Sequence, residues 1–145
     1  RLFATLDTKT RLVHLPDGSD ILMADTVGFI RHLPHGLVAS FRSTLEVASG
    51  ADLLLIVTDA GHPRVADHLK VVAETLKEIH ADAVPSLLLL NKSDTPGARV
   101  NLLSLAQAYP EALAVSATRG DGLDRVKALI AERLKHAVHR RDADR

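Results

Sequence analysis

Ile21-Leu22-Met23-Ala24-Asp25-Thr26-Val27-Gly28-Phe29 is the stretch on which the reading of this chain turns. An apolar run that ends in an acidic residue, with a glycine three positions later, reads as a buried strand whose end faces a ligand. In open α/β sheets, ligands sit beyond the carboxyl ends of the strands. Asp25 could hold a cation there, and Gly28 could bring a bare backbone N–H against a phosphate. D-x-x-G alone is a weak signal. Two more strand-end motifs follow in order, Asn91-Lys92-Ser93-Asp94 and Ser116-Ala117-Thr118. The three together specify a guanine-nucleotide site.

Outward from this stretch the chain alternates strands and helices. Residues 1 to 9 are polar and Thr-rich and read as loop. Arg11 to Leu15 alternates, Pro16-Asp17-Gly18-Ser19 is a turn signal, and Ile21 to Asp25 returns, so residues 10 to 25 form a hairpin. Pro34 sits where a helix can begin; Leu37, Val38, Phe41, Leu45 and Ala48 recur at helical spacing, and Gly50 can cap the end. Asp52 to Asp59 has no polar alternation, which is how a strand covered on both faces reads. Pro63 opens a helix with Val65, Leu69, Val72, Leu76 and Ile79 on one stripe. Ser86 to Leu90 is a second covered strand, delivering Asn91. Val100 to Ala108 reads as a short helix, and Leu113 to Val115 as a short strand delivering Ser116. Asp121 is an N-cap candidate for a last helix with the stripe Leu123, Val126, Leu129, Ile130, Leu134 and Val138. The tail from His139 to Arg145 reads as solvated and frayed. The expected class is α/β, a mostly parallel sheet flanked by helices.

Bulk properties agree and exclude other classes. A length of 145 residues suits one domain with a single core. Aromatics are only 3%, so the core must be built from Leu, Val, Ile and Ala. A formal net charge of +0 gives no argument for DNA or an acidic membrane as partner. There is no Cys, hence no disulfide framework and no thiolate zinc site, as in a reducing cytosol. No run of about 18 apolar residues exists, so nothing reads as spanning a bilayer. The expectation is a cytoplasmic monomer. The chain opens on Arg1, already inside a motif-like stretch, and reads as a piece of a longer protein.

The chemistry of each motif follows from the ligand. Guanine presents an acceptor at O6 and a donor edge at N1 and N2. One carboxylate can take both donors, and Asp94 is the candidate. A site built on such pairing can reject a base lacking those donors by roughly 10⁴-fold, because its own groups would be left unpaired. Lys92 offers a methylene stem to lie over the base with its ammonium near the sugar. Asn91 can bridge to neighbouring loops, and the backbone N–H of Ala117 can meet O6. N-K-S-D by itself can also be read as a polar helix cap after a strand, the less favoured reading; S-A-T one βα unit later favours the nucleotide further. At the phosphate end a divalent cation is needed. Asp25 can hold Mg²⁺ through water, since that ion keeps several waters. Thr5 can supply a hydroxyl to the metal from a loop, with Thr8 and Thr10 as competitors.

Phe3-Ala4-Thr5-Leu6-Asp7, the run Asp25 to His35 (DTVGFIRHLPH) leading into Leu37 to Ala60, and the 91–94 and 116–118 motifs together resemble the HflX family of translation-factor-class GTPases. The similarity spans about residues 2 to 135, and the long run is far more specific than any generic GTPase motif. The resemblance implies a P-loop-type G domain over residues 1 to 138, with 139 to 145 as tail. It places switch I on Phe3 to Asp7, with Thr5 on the magnesium, and switch II on Asp25, Thr26, Val27 and Gly28. Guanine specificity falls on Asn91 to Asp94 and Ser116 to Thr118. It implies binding of GTP and GDP, GTP hydrolysis with Mg²⁺, and association with the large ribosomal subunit. An Obg-like or Era-like GTPase is the nearest alternative, and a nucleotide-independent interaction module the alternative from another class.

Two features depart from the generic GTPase pattern. Phe29 stands where many GTPases carry a water-orienting glutamine; the family, too, has an apolar residue there, so slow intrinsic turnover and stimulation by a partner are expected. No G-x-x-x-x-G-K-[ST] phosphate loop occurs in these residues. The family carries it just upstream of switch I, with a strand that lies between Ile21–Asp25 and Asp52–Asp59. Ladder groups left unpaired along two buried strands cost about 1–3 kcal/mol each, against a whole-domain stability of roughly 5–15 kcal/mol. The chain by itself is therefore expected to be marginal and to hydrolyse no GTP. The remaining signals have plainer readings. His32-x-x-His35 and His136-x-x-His139 read as solvated histidines, Asp52 and Asp59 as caps or loop contacts, and the basic cluster around Arg133 to Arg141 as a helix end favoured by the dipole.

Overall fold

A computed structural model describes residues 9–25 and 48–143. β1 (Lys9–His14) and β2 (Asp20–Asp25) pair antiparallel from Lys9↔Asp25 to His14↔Asp20. The turn between them closes because Leu15 N–H donates to Ser19 O at 2.9 Å and Gly18 N–H to Leu15 O at 3.0 Å, with Gly18 at φ 88. Such a φ suits a residue without Cβ. The Asp17 carboxylate accepts from the Ser19 N–H at 3.0 Å and from its hydroxyl at 2.5 Å. One face of the hairpin, Val13, Leu15 and Ile21, joins the main core. The other leaves the cross-strand pair Leu12 and Leu22 at 59% and 74% exposure.

The second sheet has the order β3 (Leu54–Asp59), β4 (Ser86–Asn91), β5 (Leu113–Ala114), all parallel. Helices α1 (Val65–Glu78), α2 (Pro96–Ala108) and α3 (Leu123–Ala143) connect and flank these strands. Alternate residues of the apolar runs serve opposite faces, which is why the runs lack polar positions. Leu87, Leu89, Leu113 and Val115 pack with Val126, Ile130 and Ala131 of α3 and with Leu15 of the hairpin. Leu90 packs on the other side with Ala60, with Val65 and Leu69 of α1, and with Ala98 and Leu105 of α2. The result is the expected α/β layering. Among the described residues no helix is long and apolar enough to cross a membrane.

Several boundaries differ from expectation. Val57 is 60% exposed, so β3 is not covered on both faces along its length. The reason is lateral position. β4 has a neighbour on either side, whereas β3 pairs among the described residues only with β4, and α3 centres on β4 and β5. α2 begins at Pro96 rather than Val100, because Thr95 is a true N-cap that accepts from Ala98 N–H at 3.3 Å, and proline fits the first helical position. Asp121 does not cap α3. Its carbonyl accepts from Ser116 N–H at 3.0 Å in an antiparallel bridge, and the helix starts two residues later, at Leu123. The backbone stays helical through Ala143, across most of the segment read as a frayed tail. Of the helix expected over residues 34 to 50, Ala48 and Ser49 lie among the described residues, and they are helical.

Candidate functional site

Parallel pairing sends β3, β4 and β5 out at one rim of their sheet, so Asp59, Asn91 and the run from Val115 emerge side by side. Three hydrogen bonds knit the last two together. Val115 N–H donates to Leu90 O at 2.9 Å, Ser93 N–H to Val115 O at 3.0 Å, and Ala117 N–H to Asn91 Oδ1 at 3.0 Å. Asn91 thus bridges to the neighbouring loop as its residue type allows. The Ala117 N–H is not free for a base O6 in this arrangement: an O6 reaching it would share it with Asn91.

Lys92 has φ 59, a left-handed backbone without a glycine. Such a residue costs on the order of 1–3 kcal/mol and persists only where its surroundings hold it. Here its carbonyl accepts twice from Thr95, from the N–H at 3.1 Å and from the hydroxyl at 2.8 Å. The reversal turns Ser93 inward against Val115 and leaves Lys92 and Asp94 exposed at the rim. Ser116 is the fixed point of the second loop. It is fully buried, its hydroxyl accepts from Arg119 N–H at 3.3 Å, and its carbonyl accepts from Gly120 N–H at 2.8 Å. Ala117 and Thr118 stand outside it, exposed. A carboxylate, an ammonium stem and a small-residue loop therefore share one rim, the set that a guanine base requires.

A third strand end joins them. Asp59 Oδ1 accepts from Gly61 N–H at 2.9 Å, and its Oδ2 faces the Lys92 ammonium at 3.5 Å. Beyond it the 60–62 loop meets α2 backbone to backbone: a Cβ on Gly97 would stand 2.6 Å from Gly61 O. Asn101 of α2 donates from Nδ2 to Ala60 O at 3.0 Å and to His62 O at 3.1 Å. The loop-contact reading of Asp59 holds, but its reach to Lys92 has no local signal in the sequence, and neither do Asn101 or the Gly61–Gly97 approach. Thr95 was legible: a threonine before proline at the head of an apolar-periodic run is an N-cap pattern.

The phosphate end is only partly in view. Asp25 closes β2 as an exposed residue, suited to a magnesium ion that keeps its waters. Phe3, Ala4, Thr5, Leu6, Asp7, Thr26, Val27 and Gly28 lie outside the described residues, as do Thr8, His32 and His35. Thr10, a competitor of Thr5, is in the β1 ladder opposite Ala24. Among the described residues no group of three or more His, Cys, Asp or Glu side chains could hold a metal ion.

Residues 1–92 match a family model described as 50S ribosome-binding GTPase. The GTPase HflX of Treponema denticola is 45% identical over 91% of this chain and 34% of its own length. Its counterpart from Escherichia coli K12 is 40% identical over 95% of this chain and 33% of its own length. The chain belongs to this GTPase family, and within it to HflX. A solved structure of SsGBP in complex with GDP aligns with a TM-score of 0.71 at 27% identity, covering 90% of this HflX-family chain and 44% of that one. The P-loop-type G-domain fold expected from the motifs is therefore the fold of this chain. It spans about a third of the length of the HflX relatives it matches.

Proposed function

We propose that this chain forms the switch and base-recognition portion of an HflX-type GTPase, a protein that binds GTP and GDP, hydrolyses GTP with Mg²⁺ and associates with the large ribosomal subunit. The observation that carries the reading is the Asn91 Oδ1 to Ala117 N–H bond at 3.0 Å, which joins the two base-reading loops at one rim of a parallel sheet. In this reading Asp94 accepts from guanine N1 and N2, the Lys92 stem lies over the base, and the Ala117 N–H meets O6 while shared with Asn91 Oδ1. Ser93, Ser116 and Thr118 shape the loops around them.

At the other end, Thr5 by its hydroxyl and Asp25 through water would hold the magnesium, which when bound neutralises charge on the β- and γ-phosphate oxygens. Gly28 lets the backbone approach the γ-phosphate. Phe3, Ala4, Leu6 and Asp7 belong to the loop that carries Thr5, while Thr26 and Val27 link Asp25 to Gly28. Phe29 cannot orient a water by hydrogen bonding, so turnover is slow until a partner completes the site. The ribosomal subunit named in the family's description is that partner. The phosphate loop comes from sequence outside these residues. In support, β3 pairs among the described residues with β4 alone, and Val57 lies uncovered on the α3 face. The 145 residues by themselves hydrolyse no GTP.

The test is Asp94→Asn in the full-length protein. The amide offers one acceptor where the carboxylate offers two, so GTP affinity should fall by about 10²-fold or more while xanthosine nucleotides gain. Fluorescent-nucleotide competition measures both, and unchanged GTP affinity would refute the assignment.

A further inference from the structure

Asp59 stands where three observations meet. Its Oδ2 lies 3.5 Å from the Lys92 ammonium, on the adjacent strand end. Its Oδ1 is already occupied by the Gly61 N–H at 2.9 Å, which fixes the carboxylate's rotation and aims the second oxygen. The loop behind it is held in turn. Asn101 donates to Ala60 O and His62 O, Ala60 N–H donates to Asn91 O at 2.9 Å, and Gly61 is pressed against Gly97 with no room for a Cβ between them. Nothing in this frame is needed to end a strand. A carboxylate held at both oxygens beside a lysine in a left-handed backbone is a device for setting where that lysine's long stem lies.

We propose that Asp59 is a positioning residue of the guanine-nucleotide site: it anchors the Lys92 ammonium so that the methylene stem is held in one conformation over the base. The inference rests on the nucleotide-binding reading above. Lys92 has four rotatable side-chain bonds, and ordering them at the moment of binding costs affinity. An anchor in place beforehand removes part of that cost. The pair is half-open to water, with side-chain exposures of 59% for Lys92 and 34% for Asp59, so the effect is modest.

Asp59→Asn separates this role from a purely structural one. The amide keeps an oxygen for the Gly61 N–H and removes the charge facing Lys92. In the full-length protein loaded with a fluorescent GDP, this variant should release nucleotide about two- to five-fold faster than the parent. In a Lys92→Met background, where there is no ammonium to place, Asp59→Asn should change the release rate by less than about 1.5-fold. Asp59→Ala also loses the Gly61 bond and should lower the melting temperature, which Asp59→Asn should not. An Asp59→Asn effect of equal size with and without Lys92 would overturn the proposal, as would no effect in the parent background. A parent protein that binds no guanine nucleotide would remove the underlying reading and this inference together.

Discussion

The contact between Gly61 and Gly97 sets two effects of opposite sign against each other, so one substitution tests the packing argument. Gly97 is the second residue of α2, and replacing it with alanine adds helix propensity, up to roughly 0.5–1 kcal/mol at an interior position. The added Cβ would stand 2.6 Å from Gly61 O, 3.1 Å from its Cα and 3.2 Å from its carbonyl carbon. A relaxed carbon–oxygen contact needs about 3.3 Å, so something must move by roughly 0.7 Å. Both partners are backbone, and neither can swing aside as a long side chain would. Shifting Gly61 strains its N–H bond to Asp59 and the Asn101 bonds to the carbonyls on either side of it. Overpacking of this kind costs about 1–3 kcal/mol. The clash wins, and Gly97→Ala should destabilise the full-length protein by a net ~0.5–2 kcal/mol. Urea unfolding followed by far-UV circular dichroism measures this, with an unchanged slope showing that the two proteins expose the same surface. A Gly97→Ala protein more stable than the parent, as helix propensity alone demands, would refute the reasoning.

Two further perturbations probe the frame around the site. Asn101→Ala removes the donor shared by Ala60 O and His62 O and should cost about 1–3 kcal/mol in the same unfolding assay; a change below about 0.5 kcal/mol would take Asn101 out of the frame. At the opposite end of the hairpin, the Ser19 hydroxyl and N–H hold the Asp17 carboxyl below its ordinary value of 3.8, helped by the Lys135 ammonium at 3.7 Å. The unfolded chain therefore binds this proton at a higher pH than the folded one, so the contribution is present above pH 3.8 and is lost as pH falls through the lower folded value. The stability difference between the parent and Asp17→Asn should shrink as pH is lowered from 5 to about 2.5, and a difference independent of pH would contradict the sign.

Local chemistry wrote much of this molecule. The hairpin follows from Pro16-Asp17-Gly18-Ser19 between two short apolar runs, and the burial of β4 from an apolar stretch with no polar member. The motif at Asn91 to Asp94 falls at a strand end because the run before it stops there. These are properties of neighbours along the chain, and steric preference and side-chain period reveal them. The start of α2 is just as local, declared by Thr95-Pro96, although apolar spacing alone placed it at Val100. Asp121 marks where such reading fails: a good N-cap residue was drawn instead into a bridge with Ser116, because the loop closing around that buried serine needed an acceptor there.

What the order of residues determined was the class of fold and the family; what folding alone decided was how the 91–94 and 116–118 loops are held. Asp59 meets Lys92, and Asn101 meets Ala60 and His62, across 33 to 41 positions. Polar groups so far apart attract one another only after parallel strands have brought their ends to a common rim, so no window of sequence could contain them.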